Sequence, residues 1–165
     1  MTVIPALLLA ALIQVESHGN DRALGDYWLG QPHAFGCLQI TDHVLADVRR
    51  ITGHWWSRGD CFDRNKATRI CRLYLEHYAK VERLGHDPTI EDMARIWVGG
   101  PMGWHKPATL PYWRKVQAEL RALTQRGQAD LAGHDPGAQL NDVPLLIGVP
   151  DHSSVQPFLH PGHLH

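Results

Sequence analysis

The sequence has little cysteine, no dominant charge and no hydrophobic run long enough to cross a membrane. Its 165 residues hold 3 cysteines, a number too small and too odd for a disulfide framework. The 16 Lys+Arg nearly balance 17 Asp+Glu, for a formal net charge of −1. A general nucleic-acid binder needs a basic surface to neutralise phosphates, so no nucleic-acid partner is expected. The apolar segment VIPALLLAALIQV, Val3 to Val15, is too short for a transmembrane span. No C-x-x-C and no H-x-x-x-H occurs, so neither a metal nor another cofactor is expected.

What remains is ordinary globular composition, 44% hydrophobic and 20% charged, with 12 histidines and 6 tryptophans. The Val3 to Val15 segment carries no Lys or Arg before Arg22, so it lacks the basic start of a secretory leader. It reads instead as a buried helix, opened by Pro5 and rich in Leu and Ala. Apolarity all round predicts burial all round. A Gly-punctuated stretch follows, Ala23 to Ile40, which suits short strands and a hairpin or an ordered loop. Thr41 or Asp42 can cap a helix ending at Gly53. Asp63 can cap another, with Ala67, Ile70, Cys71, Tyr74, Leu75 and Tyr78 on one face and a break at Gly85 to Pro88. Thr89 and Asp92 form a capping-box pattern before Met93, Ile96 and Trp97. Pro111 opens a last helix to about Leu123, after which periodicity fails. The reading is an α+β domain, predominantly helical, over residues 1–127, with an irregular Pro/His-rich tail over 128–165.

Among the carboxylates, Glu16 stands out by context. It ends an apolar helix, where desolvation and the negative end of the macrodipole both disfavour its charge. A raised pKa is what a general acid near neutral pH requires. Glycosidic chemistry needs a second carboxylate to stabilise or attack the oxocarbenium-like centre, or to orient water. Asp26 lies in a Gly-flanked segment able to fold back over the helix end; Asp21, Asp42 and Asp47 are rivals.

The string ALIQVESHGNDRALGD, followed by FGCLQI, resembles the opening of the lysozyme-like superfamily. The later string ARIWVGGPMGWHKPATLPYWRKV is similar to a block of invertebrate-type lysozymes, and to its counterpart in bacterial and phage lytic transglycosylases. With CFDRNKATRICRLYLEHYA between them, the resemblance covers about residues 5 to 123. It implies a lysozyme-like fold with a small β-hairpin insert after the first helix. It implies cleavage of peptidoglycan at the β-1,4 bond between N-acetylmuramic acid and N-acetylglucosamine. Glu16 matches the catalytic acid and Asp26 the second carboxylate. Ser17, Gln39, Gly99, Gly100 and Tyr112 match positions at or around the sugar cleft. Two alternatives stay open: a lytic transglycosylase using Glu16 alone as acid and base, and a silent glycan-binding or structural module.

Two departures bear on activity. Val98 stands where the motif has Asn, and His18 replaces a small residue beside the acid; a cationic His18 would lower the Glu16 pKa. The many cysteines of secreted invertebrate-type lysozymes are also missing. Buried thiols are expected, with a Cys61–Cys71 bond as the alternative. Tyr27, Trp28 and Trp104 are candidate platforms for sugar stacking, whereas Trp97 and Trp113 read as core. The expected partner is the peptidoglycan glycan strand, met by a monomer at the bacterial cell wall. Lacking a clear cleavable leader, delivery would rely on a phage or another machine. All 16 basic residues lie at or before Arg126, while Asp130, Asp135, Asp142 and Asp151 lie in the tail. The body is thus mildly basic, which suits an anionic wall.

Overall fold

The computed structural model describes residues 2–28 and 30–132, and side chains at all of these except 26–28, 32 and 130–132. The chain runs as α1 (Ala6–Ser17), β1 (Leu24–Trp28), β2 (Gln31–Phe35), β3 (Ile40–Thr41), α2 (Asp42–Thr52), a 3₁₀ turn (Arg58–Phe62), α3 (Arg64–Tyr78), α4 (Val81–Leu84), α5 (Ile90–Gly99), two short 3₁₀ turns (Gly103–His105 and Pro107–Thr109) and α6 (Leu110–Ala132). The helices hold the core, and the three strands form one antiparallel sheet in the order β1-β2-β3. This is the predominantly helical α+β lysozyme-like fold that the sequence motifs implied.

Helix boundaries follow local chemistry. Thr41 caps α2 by accepting from the Val44 amide at 3.4 Å, and Gly53 closes that helix in the left-handed region. Asp63 caps α3 through the Lys66 amide at 3.0 Å. Thr89 and Asp92 form a complete capping box on α5. Asp42 does not cap; it forms an ion pair with Arg58. Three expectations are corrected. Helix α3 ends at Tyr78 and the chain re-forms a separate turn, α4, before Gly85. Helix α6 continues to Ala132, through Gly127, since one glycine inside a helix costs only about 1 kcal/mol. Helix α1 is not buried all round: Leu8, Leu9, Ala11 and Leu12 are buried, but Leu7 is 42% exposed. Its neighbours α6 and α5 cover one side only.

Ile4, Leu8, Leu12, Leu38, Ile40, Val48, Ile70, Leu75, Ile96 and Val116 meet in one core. Truncating a fully buried Leu such as Leu12 to Ala costs about 2–5 kcal/mol. Cys37, Cys61 and Cys71 are free thiols buried in that core, so the Cys61–Cys71 alternative is not realised. The turn before β3 is held by Gly36, at φ +73°, where a Cβ would collide with the Cys61 carbonyl oxygen. No other residue satisfies both the backbone and the contact. The turn is thereby set against the 3₁₀ segment before α3. The expected tail beyond residue 132 lies outside the described residues.

Candidate active site

Glu16 occupies the last turn of α1. The helix closes as His18 enters the left-handed region, its amide bonding the Gln14 carbonyl at 2.9 Å while the Gly19 amide bonds Ile13 at 3.3 Å. The Ser17 hydroxyl donates to the Cys37 carbonyl at 2.9 Å, tying this helix end to the turn before β3. Gln39 lies in that turn at φ +47°, its side-chain amide donating to the Gly36 carbonyl at 2.9 Å. The helix end that carries the acid is thus tied to the turn before β3 through Ser17.

These elements enclose a cavity of about 540 Å³. Glu16, Gln39, Asp47, Tyr74, Trp97, Val98 and Gly100 are among its lining residues. The Tyr112 hydroxyl, from α6, donates to Glu16 Oε1 at 2.6 Å. Burial pushes the Glu16 carboxyl above its ordinary value; hydrogen bonds from Tyr112 and Trp97 and the charge of Lys115 pull it back without cancelling the rise. His18 is not among the groups acting on it; the cation that lowers it is Lys115. Tyr112 is itself pushed well above its ordinary range, first by burial and then by the Glu16 charge, so its hydroxyl stays protonated as a donor. The site therefore sets a half-buried carboxyl of raised pKa facing a cavity. That arrangement can donate a proton to a leaving oxygen.

The structure brings Glu16, Gln39, Gly100 and Tyr112 together. Ser17 faces backbone instead. Gly99 lies outside the cavity lining and packs on Thr109, whose Cγ2 would be 2.5 Å from a Cβ there. Trp104 also lies outside it, with its ring against those of His86 and His105, at centroid distances of 5.8 and 5.0 Å. Asp26 sits on β1, between Gly25, which pairs with Ala34, and Tyr27, which pairs with Pro32. Its side chain, like the Tyr27 and Trp28 rings, lies outside the described residues. Val98, 45% exposed, lines the cavity with an apolar side chain.

One contributor escaped the sequence reading. Trp97 has the helical spacing of a core residue and is buried, yet it also acts on the acid through a side-chain hydrogen bond. Of the rival carboxylates, Asp47 lines the cavity and accepts from Arg50 at 2.9 Å, whereas Asp21 and Asp42 do not line it. Among the described residues, no group of three or more His, Cys, Asp or Glu stands together as a metal site.

A helical domain with a small sheet beside a half-buried glutamate of raised pKa at the end of its first helix defines a lysozyme-like glycosidase. No protein-family model matches the sequence. The lysozyme of Ostrea edulis is 31% identical over 109 residues, covering 66% of this chain and 76% of that one. The crystal structure of Tapes japonica lysozyme is similar at a TM-score of 0.57 and 25% identity, over 68% of this chain and 88% of that one. Meretrix lusoria lysozyme, crystallised in complex with Aeromonas hydrophila PliI, shares the fold at a TM-score of 0.58 and 24% identity, over 70% and 89% of the two chains. The chain belongs to the invertebrate-type lysozyme family and is a glycoside hydrolase.

Proposed function

We propose that this lysozyme acts at the bacterial cell wall, cleaving the β-1,4 bond between N-acetylmuramic acid and N-acetylglucosamine, with Glu16 as general acid and Asp26 as second carboxylate. The observation that carries the reading is the half-buried Glu16, facing the cavity with Tyr112 donating to it and burial raising its pKa. Glu16 gives its proton to the leaving oxygen as the glycosidic bond breaks. Water adds to the anomeric carbon and returns a proton to Glu16. The second carboxylate stabilises or attacks the developing positive charge. A carboxylate pair about 5–5.5 Å apart favours retention, and about 6.5–9.5 Å favours inversion. Asp47 is the second reading for that carboxylate, because it lines the same cavity as Glu16.

The test is release of reducing sugar from purified peptidoglycan. Glu16→Gln should lower kcat by about 10²–10⁴. A fully active Glu16→Gln enzyme overturns the site assignment. Asp26→Asn and Asp47→Asn, compared side by side, identify the second carboxylate as the one whose loss lowers kcat without raising KM. Mass spectrometry of the fragments reads the reaction: reducing ends come from hydrolysis, whereas anhydro ends come from attack by the muramyl 6-hydroxyl.

A further inference from the structure

Helix α2 lines two separate cavities. Val44 and Asp47 border the Glu16 cavity, whereas Leu45, Ala46 and Arg49 border a groove of about 830 Å³ completed by the 53–59 segment. The two share no lining residue. The groove is the size of a small-molecule or oligosaccharide site rather than a flat contact patch.

Three features of the groove point to one ligand chemistry. Trp55 is 65% exposed, with the Arg49 guanidinium 4.0 Å from its ring centroid. That is a rigid aromatic surface presented to solvent, fit to stack on the apolar face of a sugar. Trp56 carries the second feature. Its partly buried ring also lines the groove, backed by His54 at a centroid distance of 4.5 Å, so a second indole borders the same space. The third feature is charge. Arg58 is held by Asp42 at 2.6 Å and Arg50 by Asp47 at 2.9 Å, but Arg49 has no carboxylate partner among the described residues. A guanidinium stacked on an exposed indole, with no carboxylate partner among the described residues, matches a ligand that joins a sugar ring to a carboxylate.

We propose that this groove is a second glycan-binding site, which holds a peptidoglycan strand away from the cleft. A sugar ring stacks on Trp55, and a carboxylate of the strand or its peptide stem pairs with Arg49. Naming peptidoglycan as the strand rests on the function proposed above; the stacking and charge chemistry do not. A polymer held at two places on one molecule gains effective concentration at the cleft, so the groove raises retention on the wall rather than the chemical rate.

The experiment is co-sedimentation with purified sacculi in a Glu16→Gln background, which leaves the polymer intact. Trp55→Ala and Arg49→Ala should each weaken binding by about tenfold, a modest share of what bivalency can contribute. Chitin, which has the acetamide but no carboxylate, should be bound more weakly by the Trp55 variant and unchanged by the Arg49 variant. Binding of a short soluble glycan that fills only the cleft should be unchanged in both. Wild-type binding to sacculi in the Trp55 and Arg49 variants overturns the proposal, as does equal loss on the short glycan. If wild-type protein binds sacculi through Trp55 but releases no sugar, the catalytic reading falls and the groove stands.

Discussion

Two shielded carboxylates sit at opposite ends of helices, and the protein treats them in opposite ways. Glu16 ends α1, with two side-chain hydrogen-bond donors, and its pKa is raised because burial outweighs them. Asp92 lies in the first turn of α5 and is only 6% exposed. Burial pushes Asp92 up too, but the Thr89 hydroxyl at 2.6 Å, the Thr89 amide at 2.9 Å and His86 at 2.9 Å hold it below the ordinary carboxylate value. Burial alone therefore does not make an acid catalyst. What separates the two is how fully the charged form is solvated by protein: a capping carboxylate is, and one at a helix C-terminus beside an open cavity is not.

The comparison can be broken at four points. The largest expected effect is on Glu16. Glu16→Gln should lower kcat by about 10²–10⁴ and at the same time raise the melting temperature at neutral pH. A carboxyl whose folded pKa lies above its unfolded value binds its proton more tightly when folded. The fold therefore loses stability as pH rises from the unfolded value through the folded one, and the amide removes that loss. A Glu16→Gln variant that melts lower than wild type at neutral pH contradicts the desolvation argument.

Asp92→Ala should do the reverse. Losing the cap and stranding its donors should cost about 1–3 kcal/mol in denaturant titration, with kcat on peptidoglycan within about twofold, since Asp92 does not line the cleft. Because its folded pKa is depressed, its contribution is present above the unfolded value and disappears as pH falls through the folded one.

Tyr112→Phe is a finer probe. It removes a donor that favours the Glu16 anion, so the Glu16 pKa should rise further. Activity that requires the protonated acid falls as pH rises through that pKa, so the alkaline limb of the pH–rate profile should move to higher pH. A limb moving to lower pH contradicts the assignment of Tyr112 as donor.

The smallest effect is expected at His86. Asp92 raises its pKa, so its contribution is complete below the unfolded value of 6.5 and is lost as pH rises through the folded value. Thermal melts should fall slightly over that range in wild type. In His86→Ala they should be lower at acidic pH and flat across it.

Much of the fold was legible from local chemistry. The Thr41, Asp63 and Thr89 caps, the Gly53 stop and the apolar face of α3 were all readable, because capping and periodicity act within a few residues. Glu16 was legible for the same reason: an apolar run ending in a carboxylate carries its own desolvation argument. Trp97 is core as read, but it also serves the acid. Helical spacing marks Trp97 as core, and nothing local says that its N–H meets a carboxyl on α1. Trp104 followed a glycine-rich loop, as a sugar platform would, but the 3₁₀ turn sets it against His86. Gly99 read as part of a substrate loop, whereas its missing Cβ makes room for Thr109.

The sequence by itself determined where most helices are capped at their starts, much of what fills their inner faces, and that a carboxyl at the end of α1 would resist ionisation. These depend on neighbours along the chain. Only the tertiary structure decided what surrounds that carboxyl. Tyr112 stands 96 positions away and donates at 2.6 Å, Lys115 replaces His18 as the cation that matters, and α2 is shared between a cleft and an arginine- and tryptophan-lined groove. Electrostatic environments are sums over space, and no spacing rule along the chain carries that sum.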